Sequence, residues 1–328
     1  MTMKIASVAL MLLLCLLLGA CTGPNPGMTH PSDTADDYIV VGFSQVGAES
    51  DWRNAHTRSM QEALNEQNGY RLILDDAQQK QERQITAIRN FIQQEVDVIV
   101  LAPTTETGWD TVLAEAHTAG IPVIVVDRMI EVSDQSLYAC WVGSDFLREG
   151  HTATGWMARH FGSEPLQIVH LQGSIGSSAQ LGRTQALDEA LSQHPDWQLI
   201  ARDCGEFTEA KGQELVENLL AQGISFNVIY SENDNMAYGA INALKAHGLE
   251  PGRDVTILSF DASHTALTLT LHGEISLDVE CNPLHGPLVR SLIESLRGER
   301  EPVKQTFVEE SCFDTETLTQ ETIDARTY

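Results

Sequence analysis

The sequence predicts an α/β fold of two Rossmann-like lobes, each a parallel sheet flanked by helices, joined by a hinge that the chain crosses several times. Three observations carry this. The stretch IPVIVVDR from Ile121 to Arg128 is the continuous β-branched run of a strand buried on both faces of a parallel sheet. Runs of this kind alternate with longer helical stretches, the mark of βαβ units. The alternation closes near Val142 and then starts again at similar intervals, so the chain reads as two copies of one architecture.

Taken in order, the chain opens on Met1 to Lys4, an apolar run from Ile5 to Leu18, and Gly19-Ala20-Cys21. A short basic start, an h-region of that length and small residues before a cut make residues 1–20 a secretory signal rather than a membrane span. The tetrad Leu18-Gly19-Ala20-Cys21 has the form of a lipobox, which makes Cys21 the lipid-modified first residue of the mature chain; ordinary cleavage after Ala20 is the alternative. Residues 21–37, rich in proline and glycine, read as a tether holding a soluble domain beside a membrane. Beyond them no stretch is long and apolar enough to cross a bilayer.

In the first copy, strands are expected over Ile39 to Phe43, Arg71 to Asp76, Val96 to Pro103, Ile121 to Arg128 and Leu137 to Val142, with helices near Ala55 to Gln67, Gln78 to Gln94 and Trp109 to Ala119. In the second, helix Arg148 to Phe161 leads to strands at Leu166 to Gly173, Trp197 to Arg202, Phe226 to Tyr230, Val255 to Phe260 and Ile275 to Glu280. Asn282-Pro283 and a helix from about Gly286 to Arg297 then return the chain to the first lobe. The expected division is therefore residues 38–142 with 282–304 in the first lobe, and 143–281 with 305–328 in the second.

Composition narrows the partners. The net charge of −26 disfavours nucleic acid and anionic lipid surfaces. Apart from Cys15 and Cys21, the cysteines are Cys140, Cys204, Cys281 and Cys312; an exported protein permits disulfides, and Cys281 with Cys312 is the preferred pair of three possible connectivities. No CxxC or Cys/His cluster suggests a metal, and no GxGxxG, GxxxxGK[ST], HExxH or GxSxG suggests a cofactor or catalysis. Binding without turnover is the expectation, with no cofactor.

In open α/β sheets ligands bind at the carboxyl ends of strands. Each copy has an apolar strand running into an aspartate there, VIVVDR at Asp127 and TILSFD at Asp261, which implies a cleft between facing lobes. Asp127 offers two acceptors and Arg128 a fork of donors, a pairing suited to a polyhydroxylated ligand. Asn233 in SENDN, Arg183 after the GSIGSS turn, Phe207 on a post-strand loop and Trp52 at the mouth of the first helix complete the set; helix capping by Asn233 or Asp234 and core packing of the aromatics are the structural alternatives.

The segments VGFSQVGAESDWR, DDAQQKQERQITAIRNFI, APTTETGW, IPVIVVDR, LQGSIGSSA, GEFTEAKGQE, YSENDNMAYGAI and LSFDA occur in an order and at intervals that resemble the substrate-binding proteins of bacterial sugar ABC transporters, the periplasmic binding protein type I group, and within it the galactofuranose-binding branch. The resemblance implies a monomeric two-lobed clamp that closes on one monosaccharide and delivers it to an ABC permease in the inner membrane. Carried over by motif, it adds Arg53, Ser44 or Gln45, and Glu280 to the expected sugar contacts. The cysteines do not match the group's positions. A sensory binding protein of the same fold, presenting its sugar-loaded lobes to a membrane receptor, needs the same cleft; an enzyme on this fold is the more distant alternative.

Overall fold

A computed structural model describes residues 38–328 as one compact unit; the signal, Cys21 and the tether lie outside the described residues. Two six-stranded sheets form the molecule. The first contains β1 (Ile39–Gln45), β2 (Tyr70–Asp76), β3 (Val98–Leu101), β4 (Val123–Val126), β5 (Cys140–Gly143) and β11 (Gln305–Phe307), in the order β11-β5-β4-β3-β1-β2. The second contains β6 (Leu166–Gln172), β7 (Trp197–Cys204), β8 (Val228–Ser231), β9 (Thr256–Asp261), β10 (Leu277–Glu280) and β12 (Cys312–Asp314), in the order β12-β10-β9-β8-β6-β7. All pairings between these strands are parallel except that of β12 with β10.

Alternation along the central strands explains the layers. Val98, Val100, Ile124 and Val126 pack with Met60 of helix α1 (Asp51–Ala63) and with Val289 and Ile293 of the returning helix Gly286–Arg297. Ile99, Leu101, Val123 and Val125 point the other way, onto Ile88 and Phe91 of α2 (Gln81–Gln93) and Leu113 of α3 (Asp110–Thr118). Both faces of β3 and β4 are thus covered, and each such side chain contributes about 1.5–3 kcal/mol by leaving water. The second sheet is sandwiched likewise, with Met157 of α4 (Phe146–Phe161) and Leu187 of α5 (Ser178–Gln193) on one face. Val216 of α6 (Glu209–Ala221) and Ile241 of α7 (Asp234–Ala246) cover the other.

The chain passes between the sheets three times, after β5, after β10 and after β11. The last passage falls later than the expected 304/305 boundary, because Gln305–Phe307 still pairs with β5 and only β12 joins the second sheet. Strands of three residues are too short to show a hydrophobic period, so both escaped the sequence. Two further differences are local. The first helix begins at Asp51, not near Ala55, because the Ser50 hydroxyl accepts from Arg53 N at 3.1 Å and caps it. The expected Cys281–Cys312 bridge is not formed: the four cysteines among the described residues are free, Cys312 standing opposite Val279 on the sheet edge while Cys281 is buried.

Mass mapping of the unreduced, denatured protein after alkylation is therefore expected to find label on Cys140, Cys204, Cys281 and Cys312; a mass for any joined pair would contradict the arrangement.

Candidate functional site

The carboxyl ends of both sheets open onto one narrow cavity of about 30 Å³, which the facing lobes close down well below the usual range for small-molecule sites. From the first lobe, Glu49 and Ser50 reach it from the loop after β1, Trp52 and Arg53 from the first turn of α1, and Asp127 and Arg128 from the end of β4. Helix starts and strand ends are where a chain exposes polar groups at the rim of a packed core, so these positions follow from the fold.

Charge in the first-lobe half centres on Arg53. Its Nη1 donates to Asp127 Oδ2 at 2.7 Å and to Gln45 Oε1 at 3.2 Å, and its Nε to Glu49 Oε1 at 3.1 Å. Burial opposes this charge, but the facing carboxylates of Asp127 and Glu49 outweigh it and hold the guanidinium pKa above its ordinary value. Arg128 is treated differently: burial, and then repulsion from Arg53, bring it down to about 10. Glu49 Oε2 is buried and has no hydrogen-bond partner, leaving one strong acceptor at the wall.

Asp127 adopts φ 64°, a left-handed conformation that non-glycine residues avoid. Its amide donates to Val142 O at 2.9 Å and its carbonyl accepts from Trp141 Nε1 at 3.1 Å, which holds it there. Gly143 makes this possible, since a Cβ at that position would stand 2.2 Å from Asp127 O. Strain stored at a strand end and fixed by neighbours is a feature of ligand sites.

The second lobe supplies Arg183 from α5, Phe207 from the loop after β7, Asn233 at the cap of α7, Asp261 at the end of β9, and also Phe146, Ala179 and Cys281. Arg183 donates through Nε to Glu149 Oε2 at 2.7 Å and through Nη1 to Glu232 O, with its plane 4.7 Å from the Phe260 ring centroid. Its Nη2 lies 2.7 Å from the same Glu149 oxygen without a hydrogen aligned to it, and 4.0 Å from Asp261. Asn233 serves two purposes at once: Oδ1 accepts from Met236 N at 3.0 Å as a helix cap, and Nδ2 donates to Phe207 O at 3.1 Å. Phe207, at φ 62°, lies 5.2 Å beneath the Arg128 guanidinium of the other lobe, and Gly173 leaves room for its ring, since a Cβ there would meet Phe207 Cζ at 1.9 Å.

The lobes are closed on each other. Asp51 N donates to Asn235 Oδ1 at 3.1 Å, Met129 N to Ser178 Oγ at 2.8 Å, and Glu106 N to Gly176 O at 3.0 Å. Trp52 packs among second-lobe side chains and its Nε1 donates to Cys281 O at 2.7 Å.

Of the residues expected from sequence, Trp52, Arg53, Asp127, Arg128, Arg183, Phe207, Asn233 and Asp261 line the cavity. Ser44, Gln45 and Glu280 do not. Ser44 is fully buried within β1, and Gln45 stands behind Arg53 and orients it. Glu280 faces the C-terminal segment, accepting from Ser311 N at 3.0 Å and Tyr328 Oη at 3.0 Å and from Arg326, so it ties the chain end to β10. Glu49, Ser50, Phe146, Ala179 and Cys281 were not anticipated; only Glu49 left a trace in the sequence, an i,i+4 acid-base spacing with Arg53.

Two sheet tips meeting across one cavity lined by charged and aromatic side chains, with three chain passages between them, define a hinged ligand-binding protein. The chain belongs to the periplasmic binding protein domain family, whose model matches residues 41–280. It is 37% identical to the galactofuranose-binding protein YtfQ of Escherichia coli K12 over 86% of this chain and 90% of that protein. Among solved structures, a Mycobacterium smegmatis protein in complex with β-D-fucofuranose superposes with a TM-score of 0.83 at 37% identity, over 88% of this chain and 97% of that one. The binding component of the arabinose ABC transporter from Shewanella sp. ANA-3, bound to α- and β-L-arabinofuranose, gives 0.83 at 37% identity, over 88% and 95%.

Buried acids set the pH response. Burial raises Glu149 from 4.5 to about 8, with Arg183 pulling it back and Glu310 pushing it up again, and raises Asp234 to about 6. Arg183 itself stays charged, because Glu149 outweighs its burial, so the carboxyl is the group of this pair that titrates. Groups raised in the fold contribute stability that is present below their unfolded values and lost as pH rises through the folded ones. His285, lowered from 6.5 to about 4 by burial, acts in the opposite sense but only below 6.5. The urea midpoint should therefore fall between pH 6.5 and 8.5, and fall less in Glu149→Gln; a midpoint that rises across this interval would refute the assignment.

Proposed function

We propose that the protein is the exported substrate-binding component of an ABC sugar importer, held at the membrane by lipidated Cys21 and capturing one monosaccharide between its lobes as a monomer. The cavity carries the reading. Donors of Arg53, Arg128 and Arg183 and acceptors of Glu49, Asp127 and Asp261 surround a space walled by the apolar rings of Trp52, Phe146 and Phe207. A sugar has that pattern of hydroxyl rim and apolar face. A hydrogen bond to a charged side chain is worth about 1.5–3 kcal/mol net, so a handful exceed the about 8 kcal/mol of a micromolar complex, and the surplus offsets ordering the ligand and closing the lobes.

The relatives named for galactofuranose, fucofuranose and arabinofuranose support a furanose, with galactofuranose first and another furanose, pentose or hexose next. Delivery to a permease accounts for a site that sequesters its ligand without converting it.

Calorimetry of the purified protein against a panel of furanose-forming and pyranose sugars is expected to give one-to-one binding, micromolar or tighter, for at least one furanose, and recovery of that sugar unchanged after long incubation. Heat from no sugar in the panel would sink the proposal, and a changed product would make the protein an enzyme. Asp127→Ala should weaken binding at least tenfold, about one charge-assisted hydrogen bond, while unaltered affinity would take that residue out of the contact set.

A further inference from the structure

Behind the cavity the three passages between the lobes converge on a small cluster. Ser144 belongs to the first passage, Cys281 and Asn282 to the second and Glu310 to the third. A carboxylate oxygen of Glu149, the Cys281 sulfur and a carboxylate oxygen of Glu310 all lie within 4.8 Å of one another. Ser144 Oγ completes the group, 3.4 Å from the sulfur and donating to Glu310 Oε1. We propose that Glu149, Cys281 and Glu310, with Ser144 beside them, form a site for one borderline-soft divalent cation of the Zn²⁺ class.

The observation that points to a ligand is Glu149 Oε1. Glu149 is 3% exposed, its Oε2 is taken by Arg183, and Oε1 is buried with no aligned hydrogen-bond partner, the Cys281 thiol beside the carboxyl aside. A buried carboxylate oxygen without a partner is costly, and a cation beside it removes the cost. The donor set fits the ion: one thiolate and two carboxylates suit Zn²⁺ and its neighbours in softness, whereas Mg²⁺ and Ca²⁺ take oxygen alone. Tetrahedral bonds of about 2.0–2.3 Å place two donors roughly 3.3–3.7 Å apart, so side-chain shifts of about 1 Å bring the three donors onto one ion. Charge also balances: three anionic ligands are matched by a divalent ion and the Arg183 guanidinium. On binding, the Cys281 thiol and the Glu149 carboxyl, which burial keeps protonated up to about pH 8, both give their protons to solvent, and the sulfur and the carboxylate bond the metal. Burial and the nearby carboxylates of Glu149 and Glu310 keep that thiol protonated in the ion's absence.

Such an ion would tie the second and third passages to α4 and fix Glu149, the residue that positions Arg183 in the cavity. Sequence spacing gives no sign of it, because its ligands come from positions 149, 281 and 310.

Titration of the purified full-length protein with Co²⁺ in a non-chelating buffer tests the site. One equivalent should bring up the near-ultraviolet thiolate-to-metal absorption, Zn²⁺ should displace it, and Cys204→Ser and Cys312→Ser should keep it. Cys281→Ser should abolish the band, and Glu310→Gln, which leaves the thiol in place, should weaken binding at least tenfold. No band in the unaltered protein, or a band that survives in Cys281→Ser, overturns the proposal; should Cys281→Ser lose its circular dichroism, Glu310→Gln with unchanged affinity overturns it equally.

Discussion

A guanidinium held between two carboxylates, away from water, is the constraint on which the cavity rests. Stripping water from a charge costs several kcal/mol per ion, and attraction repays this only with good geometry and further hydrogen bonds. Arg53 has both: Asp127 on one side, Glu49 on the other and Gln45 behind. The second lobe repeats the solution with Arg183 against Glu149. Each half therefore presents charged groups whose orientation is already fixed, so little side-chain entropy is left to lose when a ligand arrives.

Fixed orientation is also the source of selectivity. Glu49 Oε2 and Arg183 Nη2 stand at the wall without aligned hydrogen-bond partners, and a ligand that fails to meet them leaves them so. Polar sites reject analogues lacking one hydroxyl far more strongly than apolar pockets reject a missing methylene, because the cost is an unpaired buried group rather than a small void. The aromatic walls add area but little direction.

Much of this was legible in the chain. Apolar, largely β-branched runs at Val98–Leu101 and Val123–Val126 read as strands covered on both faces, and Asp127 and Asp261 follow from their strand-end positions. Long-range pairings were not. β11 and β12 are three residues each, and nothing local reveals that one extends the first sheet and the other the second. Glu280 shows the limit of motif transfer: its neighbour Cys281 turns to the cavity while Glu280 itself is drawn to Arg326 and Tyr328 near the chain end. Phe146 and Ala179 carry no chemistry that a sequence would single out, and they reach the cavity only because α4 and α5 start at its edge.

The contact between Gly173 and Phe207 has a consequence for how such a protein diversifies. Gly173 is not among the residues that line the cavity, yet one methyl group there would overlap the Phe207 ring and force that aromatic wall to move. The shape of the chamber is thus adjustable from the backside of its wall, through Phe207 and the Arg128 guanidinium stacked on it, and descendants of this chain have a route to altered cargo that no inventory of binding residues would disclose.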